Sequence, residues 1–185
     1  MTMETLLHVE VTKAVARHLD ELFEASGESR QRYVAALPWV LAPATFVHAR
    51  TGDAGWLERT HSAFVELVAS GARDGAVHPL LASFRLLQPF CEAFTYLRDH
   101  DCLSAPETAA AEAQIASSAD SHLGATDWGA HNRATVDAAG FYATAFALPH
   151  HPQADRWRGY GDALIEDSWG RWSIEDASIY GPFWL

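Results

Sequence analysis

Cysteine is scarce in this chain, and its scarcity excludes two kinds of architecture. Only Cys91 and Cys102 occur among the 185 residues. A single pair at this density is not a disulfide framework, and no C-x-x-C spacing for a metal site is present. The sequence therefore predicts two free thiols in a protein of a reducing compartment.

Positive charge is also scarce. The 13 Lys and Arg residues are outnumbered by 24 Asp and Glu residues, which gives a formal net charge of -11. Binding to nucleic-acid phosphates requires clustered Lys and Arg, so we expect no nucleic-acid partner. A local basic cleft is still compatible with this charge, because net charge governs steering and solubility rather than the chemistry of one site.

Long apolar runs and targeting segments are missing as well. A membrane span needs ~20 apolar residues, and Lys13, Arg17 and Asp20 interrupt the first candidate. The N-terminus has neither the basic segment nor the long apolar segment of a signal peptide. We expect a cytoplasmic protein that makes no membrane contact, although a longer natural form could be secreted.

Motifs for phosphate, cofactor or metal binding are absent from the sequence. It contains no Gly-rich phosphate loop and no G-x-S-x-G elbow, so we expect no cofactor. His150 and His151 lie near Asp155, but adjacent histidines in a turn bracketed by prolines seldom converge on one ion. We interpret this segment as a solvated turn and expect no metal.

The apolar residues recur at helical spacing along the whole chain, which predicts an all-α fold. Gly and Pro residues and polar clusters separate the helices. The first predicted helix has its apolar residues between Val11 and Phe23 and ends at Gly27. The second runs from about Arg30 to Arg50, with a kink or late start at Pro38. The others are Trp56–Gly71, Leu80–Asp99, Pro106–His122, His131–Leu148, Gln153–Trp169 and a beginning near Ser178. Only residues 172–174 are expected to be extended.

Turn signals recur at about fifty residues, at positions 50–53, 98–101 and 149–152. This period corresponds to one antiparallel helix pair with its loops. Repeated helix pairs form either an α-solenoid or a closed (α/α) toroid, and the period alone does not choose between them.

The last third of the chain carries the clearest chemical signal. Trp128 and the pair His131-Asn132 precede an apolar helical run, and Tyr180 follows the next helix. This order resembles the (α/α) toroid of polysaccharide lyases, the heparinase II/III-like and alginate lyase group. The resemblance is moderate over residues 127–180 and architectural elsewhere. Several of these lyases have Asn before His, the reverse of the order here.

The resemblance implies β-elimination on a uronic-acid-containing carbohydrate polymer. Asn132 would neutralise the sugar carboxylate, and His131 and Tyr180 would act as base or acid. Arg133, Trp128, Trp172 and Glu175 would contact the substrate. The group's toroid needs about twice this length, so residues 1–185 are expected to form one domain that is part or half of a toroid. A homo-oligomer or a missing C-terminal half would complete it.

Other interpretations of the same residues remain open. Asn132 is also a favourable helix N-cap, Tyr180 and the tryptophans can be core residues, and Arg133 can be a surface charge. An inverting glycoside hydrolase would need two carboxylates, for which Asp127 with Glu175 or Asp176 are available. A non-catalytic helical-repeat scaffold is the third possibility.

Overall fold

The computed structural model describes residues 30–73, 76, 77, 86–124, 126, 128, 129 and 132–170, together with residues 9, 10, 12–14, 16, 17 and 20. The fold of this part is all-α, as the sequence predicts. Six helices follow one another: α1 Arg30–Thr51, α2 Ala54–Gly71, α3 Leu87–Asp99, α4 Ala105–His122, α5 Asn132–Ala147 and α6 Ala154–Gly170. The helical residues between positions 9 and 20 agree with the predicted first helix.

Most predicted helix ends agree with the structure to within one or two residues. Helix α1 is continuous from Arg30 to Thr51, so the late start at Pro38 is wrong. Helix α3 begins at Leu87, while residues 78–85, which include the predicted start at Leu80, lie outside the described residues. The predicted extended piece at residues 172–174 and the helix near Ser178 also lie outside them.

A short ladder absent from the sequence prediction follows α2. Strands β1 (Ala72–Arg73) and β2 (Ala76–Val77) pair antiparallel, with Ala72 opposite Val77. Two residues per strand are too few to form a layer, so the ladder shapes the connection between α2 and α3 and leaves the fold class unchanged.

The helices pack in two layers. The first layer contains α1, α3 and α5 side by side, and the second contains α2, α4 and α6, each antiparallel to the helix before it. Short turns join the layers at residues 52–53, 100–104 and 148–153, which we call the turn end. The connections 72–86 and 123–131 lie at the opposite end, which we call the loop end.

Contacts within the first layer confirm the repeat of about fifty residues. The Tyr96 hydroxyl is hydrogen-bonded to His48 Nδ1 at 2.7 Å, and these residues are 48 positions apart. Arg98 Nη1 donates to the Ala147 carbonyl at 2.8 Å across 49 positions. Equivalent helix ends therefore lie next to each other, as stacked helix pairs require.

The core lies between the two layers, and its largest fully buried side chains are aromatic. The Phe64 ring of α2 stacks on Phe90 and Phe94 of α3, with centroids 4.8 Å and 6.3 Å away. Ile115 and Leu164, at corresponding places on α4 and α6, are fully buried as Phe64 is. The apolar stripes predicted for these helices are thus the faces that meet between the layers.

Local signals fix the ends of the helices at the turn end. Ser104 caps α4 by accepting from the Glu107 amide, and the Glu107 carboxylate accepts from the Ser104 amide at 2.8 Å. These hydrogen bonds hold the pKa of the Glu107 carboxyl below its ordinary value. Gly52 ends α1 with a φ of 68° that favours glycine.

The two cysteines are free, as predicted. Cys91 is 1% exposed in the first layer, with its Sγ 3.7 Å from Thr144 Oγ1 of α5. Burial raises the pKa of the Cys91 thiol to about 12. Among the described residues, no helix combines the length and apolarity needed to cross a membrane.

Candidate functional site

The predicted site residues that the structure describes lie at the loop end, around the connection from α4 to α5. Asn132 is the first residue of α5 and is half-buried, and its carbonyl accepts from Thr135 Oγ1 at 3.0 Å. An N-cap residue precedes the helix it caps. Asn132 is itself the first helical residue, so it is not the N-cap of α5. Arg133 follows it and is exposed.

Trp128 lies before this helix and presents much of its ring to solvent, with 47% of the residue exposed. Its ring meets Tyr160 of α6 edge-on, with centroids 5.6 Å apart and planes at 71°. Gly129 follows with a φ of 117°, a conformation that side chains disfavour. The chain therefore turns sharply after Trp128. Because Trp128 is exposed, the alternative prediction that it is a core residue is wrong.

Tyr160 holds the connection in place from the second layer. Its hydroxyl donates to the Leu123 carbonyl at 2.6 Å and lies 2.7 Å from Thr126 Oγ1. Its ring also packs edge-on against Phe141 in the core, at 5.1 Å. A single side chain of α6 thus fixes both the start of the connection and one side of the Trp128 ring.

A buried pair of titratable side chains lies below this connection. His122 at the end of α4 places its Nδ1 3.4 Å from Asp137 Oδ1 of α5, and the two side chains are 9% and 5% exposed. The pair joins the helices on either side of the connection. Sequence reasoning missed it, although an aspartate in the apolar run Val136-Asp137-Ala138 was a usable signal.

Trp157 provides a polar link between α4 and α6. Its Nε1 donates to Asp120 Oδ1 at 2.9 Å, while its ring is fully buried. The hydrogen bond orients the last turn of α4, and hence the connection that follows.

The remaining predicted site residues are not described. His131, Trp172, Glu175 and Tyr180 lie outside the described residues, as do Asp127 and Asp176. Trp128, Asn132 and Arg133 are the predicted site residues that the structure describes. The convergence of Asn132 with Tyr180 remains a prediction.

A second cluster of titratable rings lies at the turn end. The His100 ring stacks on Tyr96 with centroids 4.1 Å apart, and His48 meets both rings at about 80°. Burial raises the pKa of the Tyr96 phenol, with a smaller contribution from Cys102. The phenol therefore stays protonated at neutral pH. The spacing of 48 residues between His48 and Tyr96 was the signal that could have revealed this cluster.

The histidines of the last turn lie beside a cavity of about 520 Å³, which is also lined by Arg98 and Glu112. The His151 ring stacks on Trp157 at 4.7 Å, and its Nδ1 accepts from the Gln153 amide. His151 therefore has a structural role in the turn. Within the described part of the chain, no three His, Cys, Asp or Glu side chains are arranged to hold a metal ion.

At the loop end, the site combines an exposed aromatic face, a carboxamide, a guanidinium and the positive end of a helix dipole. Such groups can bind a sugar ring and its carboxylate. No protein-family model matches this chain, and no curated protein or solved structure matches it either. Its function must therefore be inferred from the geometry of the site.

Proposed function

We propose that this protein cleaves a uronic-acid-containing polysaccharide by β-elimination, with the sugar bound at the loop end beside the first turn of α5. The observation that carries the proposal is the placement of Trp128, Asn132 and Arg133 on either side of the turn at Gly129. The exposed face of Trp128 suits the apolar face of a sugar ring. The other two side chains suit its carboxylate.

Proton abstraction next to a carboxylate is slow because the carboxylate charge opposes the developing carbanion. The neutral Asn132 amide would donate to the sugar carboxylate and stabilise the charge that develops on it. Arg133 would grip a substrate carboxylate through two parallel N–H groups. The N-terminus of α5 adds a partial positive charge of about half a unit, which offsets the repulsion expected from the net charge of -11.

The proton transfers need two further groups. His131 and Tyr180 would remove the C5 proton and protonate the leaving oxygen at C4. Trp172 and Glu175 would contact neighbouring sugars. The architecture supports this assignment, since antiparallel helix pairs at a period of about fifty residues are the building units of an (α/α) toroid. In a toroid the starts of successive first-layer helices line one cleft.

A non-catalytic scaffold is the second candidate. The observation that favours it is the exposure of two large apolar side chains, Phe146 at 73% and Trp169 at 69%. Exposed aromatic residues of this size are typical of protein-binding surfaces. In this case the protein would bind a polymer or a protein without changing it.

The product distinguishes these candidates. The protein is incubated with a panel of uronic-acid polymers, and ultraviolet absorbance is followed together with new reducing ends. A lyase creates an unsaturated uronide that absorbs, whereas a hydrolase such as the inverting type creates reducing ends without absorbance. Binding without either signal across the panel would support the scaffold and overturn the lyase proposal.

Asn132→Asp tests the proposed role of the amide at constant size. Asp in a first helical turn is favourable for the helix, so the melting temperature should hold. Turnover should fall about 10²–10³-fold, the effect of removing one donor to a developing anion. Arg133→Gln should raise KM, whereas Arg156→Gln, an exposed arginine on α6, is the matched control that should leave KM unchanged. Unchanged turnover in Asn132→Asp would exclude the amide from the mechanism.

A further inference from the structure

A cavity separate from the proposed site lies at the turn end, between α3, α4 and the turn that joins α5 to α6. Its volume is about 520 Å³, which falls within the ~300–1,000 Å³ that is typical of small-molecule sites. Arg98 of α3, Glu112 of α4 and residues 147–152 line it, and its surface is partly polar and partly apolar. Such a mixture of a few polar groups with apolar surface is typical of a cavity that binds a small molecule.

Arg98 and Glu112 carry opposite charges and line the same cavity, yet they do not pair with each other. Glu112 is half-buried. Among the described residues, its carboxylate has no hydrogen bond or ion pair, and the ion pair of Arg98 is with Asp99 instead. The cavity therefore separates a guanidinium from a carboxylate that is open to a positively charged ligand group.

The protein holds the Arg98 guanidinium in one orientation. Its Nη1 donates to the Ala147 carbonyl at 2.8 Å, its Nε lies 3.5 Å from Asp99 Oδ1, and it lies over the Phe94 ring. A guanidinium has five N–H groups, and the two on Nη2 have no partner in the described part of the chain. Asp99 is 62% exposed, so water screens its charge and the guanidinium keeps its attraction for an anion.

The turn contributes a further donor and the apolar part of the cavity surface. His151 Nδ1 accepts from the Gln153 amide at 3.2 Å, so the proton of the neutral imidazole is on Nε2, which is left as a donor. Stacking on Trp157 fixes the plane of this ring. Leu148 and the two prolines of the turn supply apolar surface beside these polar groups.

We propose that this cavity binds a free amino acid with an apolar side chain. The carboxylate of the ligand accepts from Arg98 and His151, and its ammonium group donates to Glu112. Its side chain packs against Leu148 and the prolines, where burial from water is favourable. The inference is independent of the proposed lyase activity, which depends on residues at the loop end.

The charge pattern of the cavity distinguishes this ligand from others. A ligand with a carboxylate alone would be repelled by Glu112, and a ligand with an ammonium group alone would be repelled by Arg98. A neutral apolar molecule would leave both charges without a counterion. A zwitterion satisfies both groups, and because it is neutral overall, the net charge of -11 does not repel it.

Three molecules with the same side chain test this pattern. Isothermal titration calorimetry at low ionic strength compares L-phenylalanine, its N-acetyl derivative, which lacks the ammonium group, and its amide, which lacks the carboxylate. Each derivative loses one ion pair, so each should bind about fivefold more weakly than L-phenylalanine, the upper range for one exposed pair.

Charge variants assign each end of the ligand to its partner. Glu112→Gln should weaken binding of L-phenylalanine about fivefold and should not weaken binding of the N-acetyl derivative. Arg98→Gln should weaken binding of L-phenylalanine by a similar factor and should not weaken binding of the amide. The matched controls are Glu58→Gln and Arg156→Gln, at exposed residues outside the cavity, which should bind all three molecules as the unmodified protein does.

Folding and independence have their own controls. Arg98 also bonds to the Ala147 carbonyl, so thermal melting must show that Arg98→Gln is folded at the temperature of the titration. Glu112→Gln removes no contact within the described residues, and it tests the proposal even if Arg98→Gln does not fold. Asn132→Asp should bind L-phenylalanine normally, which keeps this result separate from the lyase proposal.

Three results would overturn the proposal. Equal affinities for the three molecules would indicate apolar partition without recognition of charge. Equal losses in Glu58→Gln and Glu112→Gln would indicate a diffuse effect of surface charge. No detectable binding of L-phenylalanine by the folded protein at millimolar concentration would exclude the site.

Discussion

The buried pair of His122 and Asp137 makes an asymmetric prediction about stability. Replacing His122 with Leu leaves the carboxylate of Asp137 buried, since that side chain is only 5% exposed. Breaking a buried pair in this way costs about 3–5 kcal/mol. Replacing Asp137 with Leu leaves an imidazole, which is readily buried in its neutral form, so the cost should be about 1–3 kcal/mol.

The double replacement completes the cycle. With both side chains changed to Leu, no charge is left in the interior, and apolar replacement of a buried ion pair is often neutral or stabilising. We therefore expect the double variant to be more stable than His122→Leu alone. Because the residues are in contact, their effects should not add.

Urea unfolding followed by far-ultraviolet circular dichroism measures these differences. A loss of 3–5 kcal/mol is a large part of the ~5–15 kcal/mol that stabilises a typical domain, and corresponds to a fall in melting temperature of roughly 6–20 °C at this size. His150→Leu, at an exposed histidine of the last turn, is the control and should stay within about 0.5 kcal/mol. Equal and additive losses in the two single variants would refute the coupling.

Three further outcomes follow from the structure. Ser104→Ala should cost about 1 kcal/mol by removing the cap of α4, and it should weaken the acid dependence of stability. The lowered pKa of the Glu107 carboxyl stabilises the fold above pH 4.5, the ordinary pKa, and this contribution is lost as the pH falls through the lower pKa of the folded state. Urea unfolding from pH 7 to pH 3 measures both effects. Cys102 should react with a thiol reagent at pH 8 in the native protein, while Cys91, with its pKa raised to about 12, should react only on unfolding, as peptide mass mapping will show. Gly140→Val should destabilise the protein by roughly 1–3 kcal/mol through overpacking, because a Cβ at this position would lie 3.3 Å from Leu87 Cβ. Thermal melting measures the loss. Gly159→Val is the control, since no atom lies within 4 Å of a Cβ built at Gly159.

The sequence was sufficient where the determining contacts are local. The start of α4 follows from Ser104 and Glu107 three residues later, and the structure contains the reciprocal capping hydrogen bonds that this spacing predicts. The end of α1 at Thr51 follows from Gly52. The extent predicted for α1 agrees with the structure, but the alternative of a late start at Pro38 is wrong. A proline removes one backbone hydrogen bond of a helix, and this local signal did not reveal that the helix begins before it.

The sequence was insufficient where residues distant in the chain must meet. His122 and Asp137 were visible as residues, but their pairing depends on how α4 and α5 pack after the connection. The same holds for Tyr160, because nothing in the sequence indicates its hydrogen bond to the Leu123 carbonyl, 37 positions away. Periodicity identifies the face of a helix that is buried and gives no information on which polar atoms meet there.

The two ends of the helix layers differ in a way that bears on function. At the turn end, His48, Tyr96 and His100 contact one another, and Arg98 bonds to the end of α5. These contacts set the register of the repeat, so changes there should alter stability first. At the loop end, the longer connection carries an exposed Trp128 beside the start of α5, fixed from behind by Tyr160. A rigid layer that presents a longer, partly exposed connection is the arrangement in which proteins place binding residues, and this is why the proposed chemistry belongs at the loop end.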